Sequence, residues 1–163
     1  MNNTADCLTA SKEEIVEKYF NMVCKLALSQ TKDRHAADDV AQDVFVRFLK
    51  TDTEFKSEEH IKAWLIRVTI NCSKSLFLSA WAKKTVPLTE DIPFDSPEKS
   101  EVYYSVLALP QKYRTVIHLF YYEQLSVAEI SKYLNTKEST VKSQLHRGRE
   151  MLKSLLKGEA LDV

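Results

Sequence analysis

The chain has 163 residues, enough for one domain or two small ones. It has only two glycines and four prolines and no sustained strand-type alternation, which excludes an all-β fold and predicts an all-α one. No apolar run approaches the roughly 20 residues that span a bilayer, and no secretion signal precedes the first helix, so we expect no membrane insertion. Three widely spaced cysteines, Cys7, Cys24 and Cys72, favour a reducing, cytoplasmic location over a disulfide framework.

The formal net charge is zero, but charges of each sign are segregated along the chain. Acids outnumber bases by seven to three in residues 36–59 and by five to one in residues 85–101. Bases number five against no acid in residues 60–84, and five against one in residues 139–157. Unless it is chance clustering, this pattern indicates two segments that contact phosphates and an acidic one that contacts a basic protein surface.

Two amphipathic helices are predicted in the first third of the chain. The first opens at Ser11, which caps it, and runs to about residue 30. The second covers about residues 36–50 and starts with two aspartates that suit the positive end of the helix dipole. Its polar face is either solvated or covered by a partner. That face carries Asp39, Gln42, Asp43 and Arg47.

A polar loop over residues 51–59 precedes a long apolar helix that runs to about residue 84. Aromatic residues and cations interleave along this helix, an arrangement that can stack on unpaired bases while holding the nucleic-acid backbone. The alternative is a core helix with buried aromatics, which we favour for Trp64. The candidate contacts are Arg67, Asn71, Lys74, Trp81, Lys83 and Lys84.

Residues 85–100 hold three of the four prolines and show no helical period, which is typical of a flexible linker. We therefore expect a domain at 1–84 and another at 101–163. In the second, a helix over about 97–108 precedes one that starts at Pro110 and runs to about 122. The residues predicted to be buried by the latter are Tyr113, Val116, Ile117 and Phe120.

The last third of the chain predicts a helix-turn-helix, which makes the C-terminal domain a four-helix unit. Ser126 and Glu129 form a capping box before a short helix, Asn135-Thr136 breaks it, and a longer amphipathic helix follows. The longer helix is apolar on one side and basic on the other. The basic side can neutralise phosphates and approach base edges, or it can be an ordinary solvent-exposed surface. Its candidate contacts are Ser139, Lys142, Ser143, His146, Arg147 and Arg149.

No enzyme site is recognisable in the sequence. The four histidines do not pair with each other or with cysteines at metal-ligand spacing, and two glycines cannot build a phosphate-binding loop. We therefore expect no catalytic residues, no metal and no cofactor.

Two long segments resemble a known family. LPQKYRTVIHLFYYEQLSVAEISKYLNTKESTVKSQLHRGREMLKSLL resembles the C-terminal domain of bacterial sigma factors of the extracytoplasmic-function (ECF) group, in the sigma-70 family. AADDVAQDVFVRFLK followed by AWLIRVTINCSKS resembles their N-terminal domain. The resemblance covers about residues 11–84 and 101–157 in the family's order. It implies a non-catalytic subunit of RNA polymerase that directs promoter-specific initiation.

The resemblance also assigns roles to residues. Docking on core polymerase falls on Asp38, Asp39, Gln42, Asp43 and Arg47. Opening of the −10 element and capture of a flipped base fall on the loop from Phe55 to Ile61, with Arg67 and Asn71. Reading of the −35 element falls on Thr140, Lys142, Ser143, His146, Arg147 and Arg149. The chain departs from the family after Asn71, where CSKSLFLSAWAKK stands in place of a run of arginines.

Two other functions remain open at this point. A stand-alone helix-turn-helix regulator would bind a palindromic duplex as a dimer without polymerase. A helical protein-interaction adaptor would have no DNA role at all. The expected partners are core RNA polymerase and promoter DNA, and the sequence leaves open whether an anti-sigma factor also binds.

Overall fold

The computed structural model describes residues 11–82 and 101–158, with the backbone alone for 77–82. The predicted linker, Lys83 and Lys84 lie outside the described residues, as does the side chain of Trp81. The described parts are helices joined by short segments, which confirms the all-α prediction. None of these helices has the length and apolar character needed to cross a membrane. The chain divides into two compact units, Met1–Thr89 and Glu90–Val163.

The first unit packs three helices against one another: α1 (Lys12–Thr31), α2 (Arg34–Lys50) and α3 (Glu58–Ala82). The hydroxyl of Ser11 accepts a hydrogen bond from the backbone N–H of Glu14, which starts α1 as the sequence predicts. The turn into α2 is tight because Lys32 adopts a left-handed conformation, with φ 58°. The fully buried core of this unit includes Val23, Leu26, Val44, Phe48, Leu65 and Ile66.

An aromatic cluster holds the segment between α2 and α3 against the unit. The Phe55 ring lies 5.7 Å from Phe48 and 5.8 Å from Trp64, measured between centroids. His60 packs edge-on against Phe55 at 5.1 Å. Phe55 and Trp64 are each half-buried, so the core position predicted for Trp64 is only partly reached. The segment is thereby anchored without any regular secondary structure of its own.

Within residues 101–158, the second unit has four α-helices: α4 (Glu101–Leu107), α5 (Gln111–Ile117), α6 (Val127–Leu134) and α7 (Glu138–Lys157). A π-helical turn, His118–Tyr122, extends α5. The burial predicted for Phe120 is only partly reached: its side chain is half-buried, whereas His118 and Leu119 are completely buried. The wider turn changes the angular step between side chains, so α-helical spacing no longer locates the core positions beyond residue 117.

A buried cation fixes the corner between α4 and α5. Arg114 is 5% exposed, and its guanidinium donates hydrogen bonds to the backbone carbonyls of Leu109 at 2.7 Å and Leu107 at 3.4 Å. These carbonyls belong to the end of α4, where the helix leaves its acceptors unsatisfied. Burial lowers the pKa of Arg114 from its usual value. The hydrogen bonds to these two carbonyls offset the cost of burying the Arg114 guanidinium.

The helix-turn-helix forms as predicted. The Ser126 hydroxyl accepts from the N–H of Glu129 at 3.1 Å, and the Glu129 carboxylate accepts from the N–H of Ser126 at 3.0 Å. Asn135 ends α6 with φ 53° and ψ 51°, a left-handed conformation. The Ser131 hydroxyl donates to the carbonyl of Thr136 and closes the turn. Val141 and Leu145 then bury one side of α7.

Replacing Asn135 tests the left-handed turn. Asn135→Val should lower the free energy of unfolding by about 1–2 kcal/mol, because a β-branched side chain clashes with the backbone at positive φ. Asn135→Gly, which tolerates this conformation, is the matched control and should retain the wild-type stability to within a few tenths of a kcal/mol. Urea unfolding of the full chain followed by circular dichroism measures both. Equal stability of the two variants would show that the turn is not strained at this residue.

Candidate nucleic-acid interface

The outward side of α7 presents a continuous polar surface. All seven residues predicted there are exposed, namely Ser139, Thr140, Lys142, Ser143, His146, Arg147 and Arg149. They lie opposite Val141, Leu145 and Gly148, which are buried against the rest of the unit. Short hydroxyl residues near the start of the helix alternate with cations, so this surface can approach base edges and phosphates together.

Arg149 differs from its predicted neighbours because it is already engaged within the unit. Its Nε donates to the hydroxyl of Tyr121 at 2.6 Å. Its guanidinium also lies over the rings of Phe120 and Tyr121, at 5.6 and 5.7 Å from their centroids. These contacts hold Arg149 on one flank of α7. A role in reading bases would require Arg149 to give up both the hydrogen bond and the ring contacts.

On the other flank of α7, the structure brings in two residues that sequence reasoning missed. Lys112 and Tyr113, from the first turn of α5, line a cleft together with Arg147. Hydrogen bonds from Arg147 and then Lys112 to the Tyr113 hydroxyl lower the pKa of this tyrosine. Residues 112 and 147 are far apart in sequence, so helical periodicity could not link them. The sequence offered one indication of a functional role for Lys112: it lies in the first turn of a helix, where the helix dipole disfavours a cation.

Three of the polar residues predicted on α3 form a single exposed row. Arg67, Asn71 and Lys74 are four and three positions apart, which places them on adjacent turns of one face. Ile61 is only 5% exposed, so its side chain lies in the core and cannot offer the predicted DNA contact. The structure therefore keeps Phe55, but not Ile61, as a surface candidate.

The acidic residues of α2 form a second exposed surface, as predicted. Asp38, Asp39, Gln42, Asp43 and Arg47 are all exposed. Nε of Arg47 lies 3.3 Å from a carboxylate oxygen of Asp43, one helical turn away. Both side chains are about half exposed, so this ion pair contributes only about 0.3–0.5 kcal/mol. The surface therefore remains available for a partner that offers stronger cationic contacts.

Asp43 also reaches α3 through Cys72. Burial raises the pKa of the Cys72 thiol to about 11, and a hydrogen bond to Asp43 adds to the effect. Burial likewise raises the pKa of Cys24 to about 11, with Asp38 contributing. Both cysteines are therefore protonated near neutral pH and unreactive as nucleophiles. In the described parts of the chain, no cluster of three histidine, cysteine or carboxylate side chains could hold a metal ion.

Comparison with known families identifies both units. The family described as Sigma-70 region 2 matches residues 15–83, and Sigma-70, region 4 matches residues 100–152. The chain is 30% identical over 164 residues to the ECF RNA polymerase sigma factor SigW of Bacillus subtilis, covering 88% of each protein. It is 32% identical over 157 residues to SigM of the same organism, covering 88% of this chain and 93% of SigM.

Two solved structures share the fold. The sigma factor RpoE of Bartonella quintana, in complex with the anti-sigma factor NepR, superposes with a TM-score of 0.76 at 21% identity. That match covers 89% of this chain and 96% of RpoE. CnrH, in complex with the cytosolic domain of CnrY, gives a TM-score of 0.63 at 21% identity and covers 95% of each chain. At this identity the likeness concerns the fold alone.

The link between Asp43 and Cys72 is testable by titration. In a Cys7→Ser, Cys24→Ala background, Asp43→Asn should move the pKa of Cys72 down from about 11 toward its ordinary value of 9.0, because a negative neighbour no longer opposes the thiolate. The pH dependence of iodoacetamide alkylation measures this pKa. Asp39→Asn, on the same exposed surface, should leave it unchanged. An unaltered midpoint in Asp43→Asn would remove the proposed contact.

Proposed function

Because the chain belongs to the ECF group of the sigma-70 family, we propose that it binds core RNA polymerase and directs promoter-specific initiation of transcription. The observation that carries this proposal is the match of regions 2 and 4, in family order, to two separate helical units. The exposed polar side of α7 supports it. A stand-alone dimeric regulator or an adaptor is not favoured, because neither accounts for the region 2 match.

We propose that the acidic surface of α2 docks on core polymerase. It offers Asp38, Asp39 and Asp43 as exposed carboxylates, with Gln42 between them and Arg47 beside Asp43. Opposite charges on a partner would be steered to this surface before contact. α2 packs against α3, so the proposed docking surface and the helix that we assign to DNA are neighbours in one unit.

The −10 element is assigned to α3 and the segment before it. Arg67, Asn71 and Lys74 form an exposed row, and Phe55 lies half-exposed within the aromatic cluster. Extruding a base costs a few kcal/mol, which stacking and pocket contacts can offset. The same −10 role is proposed, from the sequence, for Trp81, Lys83 and Lys84.

The domain boundaries proposed are residues 1–84 and 101–163, with a linker between them.

The −35 element is assigned to α7, whose first turns would enter the major groove as the second helix of a helix-turn-helix does. Catalysis belongs to the polymerase in this proposal, and the chain contributes binding alone.

The relatives RpoE and CnrH are complexed with NepR and with a domain of CnrY, and we propose an anti-sigma factor as a further partner of this chain. A cytoplasmic location follows from these partners.

Charge reversal tests the docking surface and the function together. Wild-type chain added to bacterial core polymerase and a genomic library should yield discrete run-off transcripts. Asp39→Arg with Asp43→Arg should abolish the transcripts and the co-purification with core polymerase, because two attractive contacts become repulsive. Glu13→Arg with Glu17→Arg, an equal charge change on exposed α1 residues, is the matched control and should retain both. A double variant that still co-purifies would place the docking surface elsewhere.

Lys142 tests the DNA-facing side of α7. Lys142→Ala should weaken promoter binding by the holoenzyme several-fold and lower the slope of log affinity against log salt by about one, because one phosphate contact is lost. Lys132→Ala removes the same charge from an exposed position on α6 and should leave the slope unchanged. Filter binding across a salt series gives both values. Identical slopes for the two variants would contradict the assignment of this side to DNA.

A further inference from the structure

The cleft between α5 and the first half of α7 has the composition of an anion site. The described residues lining it supply two cations, four hydroxyl groups and one amide, and none of them is a carboxylate. They are Lys112, Tyr113, Ser139, Thr140, Ser143, Gln144 and Arg147. The cleft opens beside the polar side of α7, so a ligand within it would be a close neighbour of anything that α7 binds.

The α5 side of the cleft is held firmly against α7. The ring of Tyr113 is buried, and a Cβ placed on Gly148 would lie 3.5 Å from the Tyr113 Cβ. The Lys112 ammonium sits over the Tyr113 ring, 5.0 Å from its centroid. Lys112 is therefore an exposed cation whose side chain packs against a buried aromatic ring. It lies on α5, whereas the predicted recognition residues lie on α7.

The Tyr113 hydroxyl and the two cations belong to the same cleft. Tyr113 lines it together with Lys112 and Arg147, and the proximity of Arg147, and then of Lys112, lowers the pKa of this tyrosine. Two cations in one cleft repel each other, and no carboxylate among the described lining residues offsets that repulsion. A bound anion would remove it and would gain charge-assisted hydrogen bonds from both side chains.

We propose that Lys112 and Arg147 bind one phosphate of the promoter DNA backbone beside α7, and that Tyr113 positions Arg147 for this contact. A helix in the major groove has a sugar–phosphate backbone on each side, and the cleft lies on one flank of α7, where one of these backbones would run. On the opposite flank, Arg149 is engaged by Tyr121. The contact sets the register of α7 on the duplex without reading sequence, and it rests on the function proposed above.

Holoenzyme carrying Lys112→Ala tests the site. Its affinity for promoter DNA should fall by the same factor for wild-type and altered −35 sequences, and its salt slope should drop by about one. Ethylation of one backbone phosphate beside the −35 element should interfere with the wild type but no longer with Lys112→Ala. The control Lys132→Ala should keep both the slope and the interference pattern. An unchanged slope and pattern in Lys112→Ala would overturn the proposal.

Tyr113→Phe separates positioning from packing, since it keeps the buried ring and removes the hydroxyl. It should weaken promoter binding several-fold and reduce interference at the same phosphate, with an unchanged urea midpoint of unfolding. Wild-type affinity in Tyr113→Phe would remove the positioning role. If the wild-type chain itself directs no initiation with core polymerase, the proposed function fails; if it does and Lys112→Ala behaves like Lys132→Ala, only the phosphate site fails.

Discussion

The close crossing of α5 and α7 at Gly148 is the constraint on which the second unit depends. A Cβ at this position would lie 3.0 Å from Cγ1 of Ile117, a fully buried residue, so any larger side chain at Gly148 would require Ile117 to shift. This approach buries Val141 and Leu145 and turns the polar side of α7 outward. It also brings the start of α5 next to the start of α7. The polar side of α7 and the cleft beside it therefore lie next to this close crossing.

The molecule binds partners by presenting segregated charge on rigid helices. The first unit carries carboxylates on α2 and a row containing two cations on α3, and the two helices pack against each other. The second unit places its cations on α7 and at the start of α5. Because the signs are separated in space, a formally neutral chain can bind both a basic protein surface and a polyanion.

Local contacts also decide which exposed charges are available. Arg147 and Arg149 are two residues apart on α7, yet Arg147 lines an open cleft whereas Arg149 donates to Tyr121 and lies across two aromatic rings. The π-helical turn at the end of α5 carries both rings. A turn of that kind has no periodic signature in the sequence, and its effect on Phe120 and Arg149 becomes visible only when the helices are packed.

The sequence by itself determined the all-α class, the order of the helices and the turn at Asn135, because these depend on composition, helical spacing and local capping. It also placed the polar sides of α2 and α7, since amphipathic period decides which residues face outward. The tertiary structure decided what depends on contacts between distant residues. Ile61 lies in the core, the Cys72 thiol is buried near Asp43 with a raised pKa, and Lys112 shares a cleft with Arg147. Such pairs form only when helices cross, and crossing geometry is set by close packing, which no window of sequence contains.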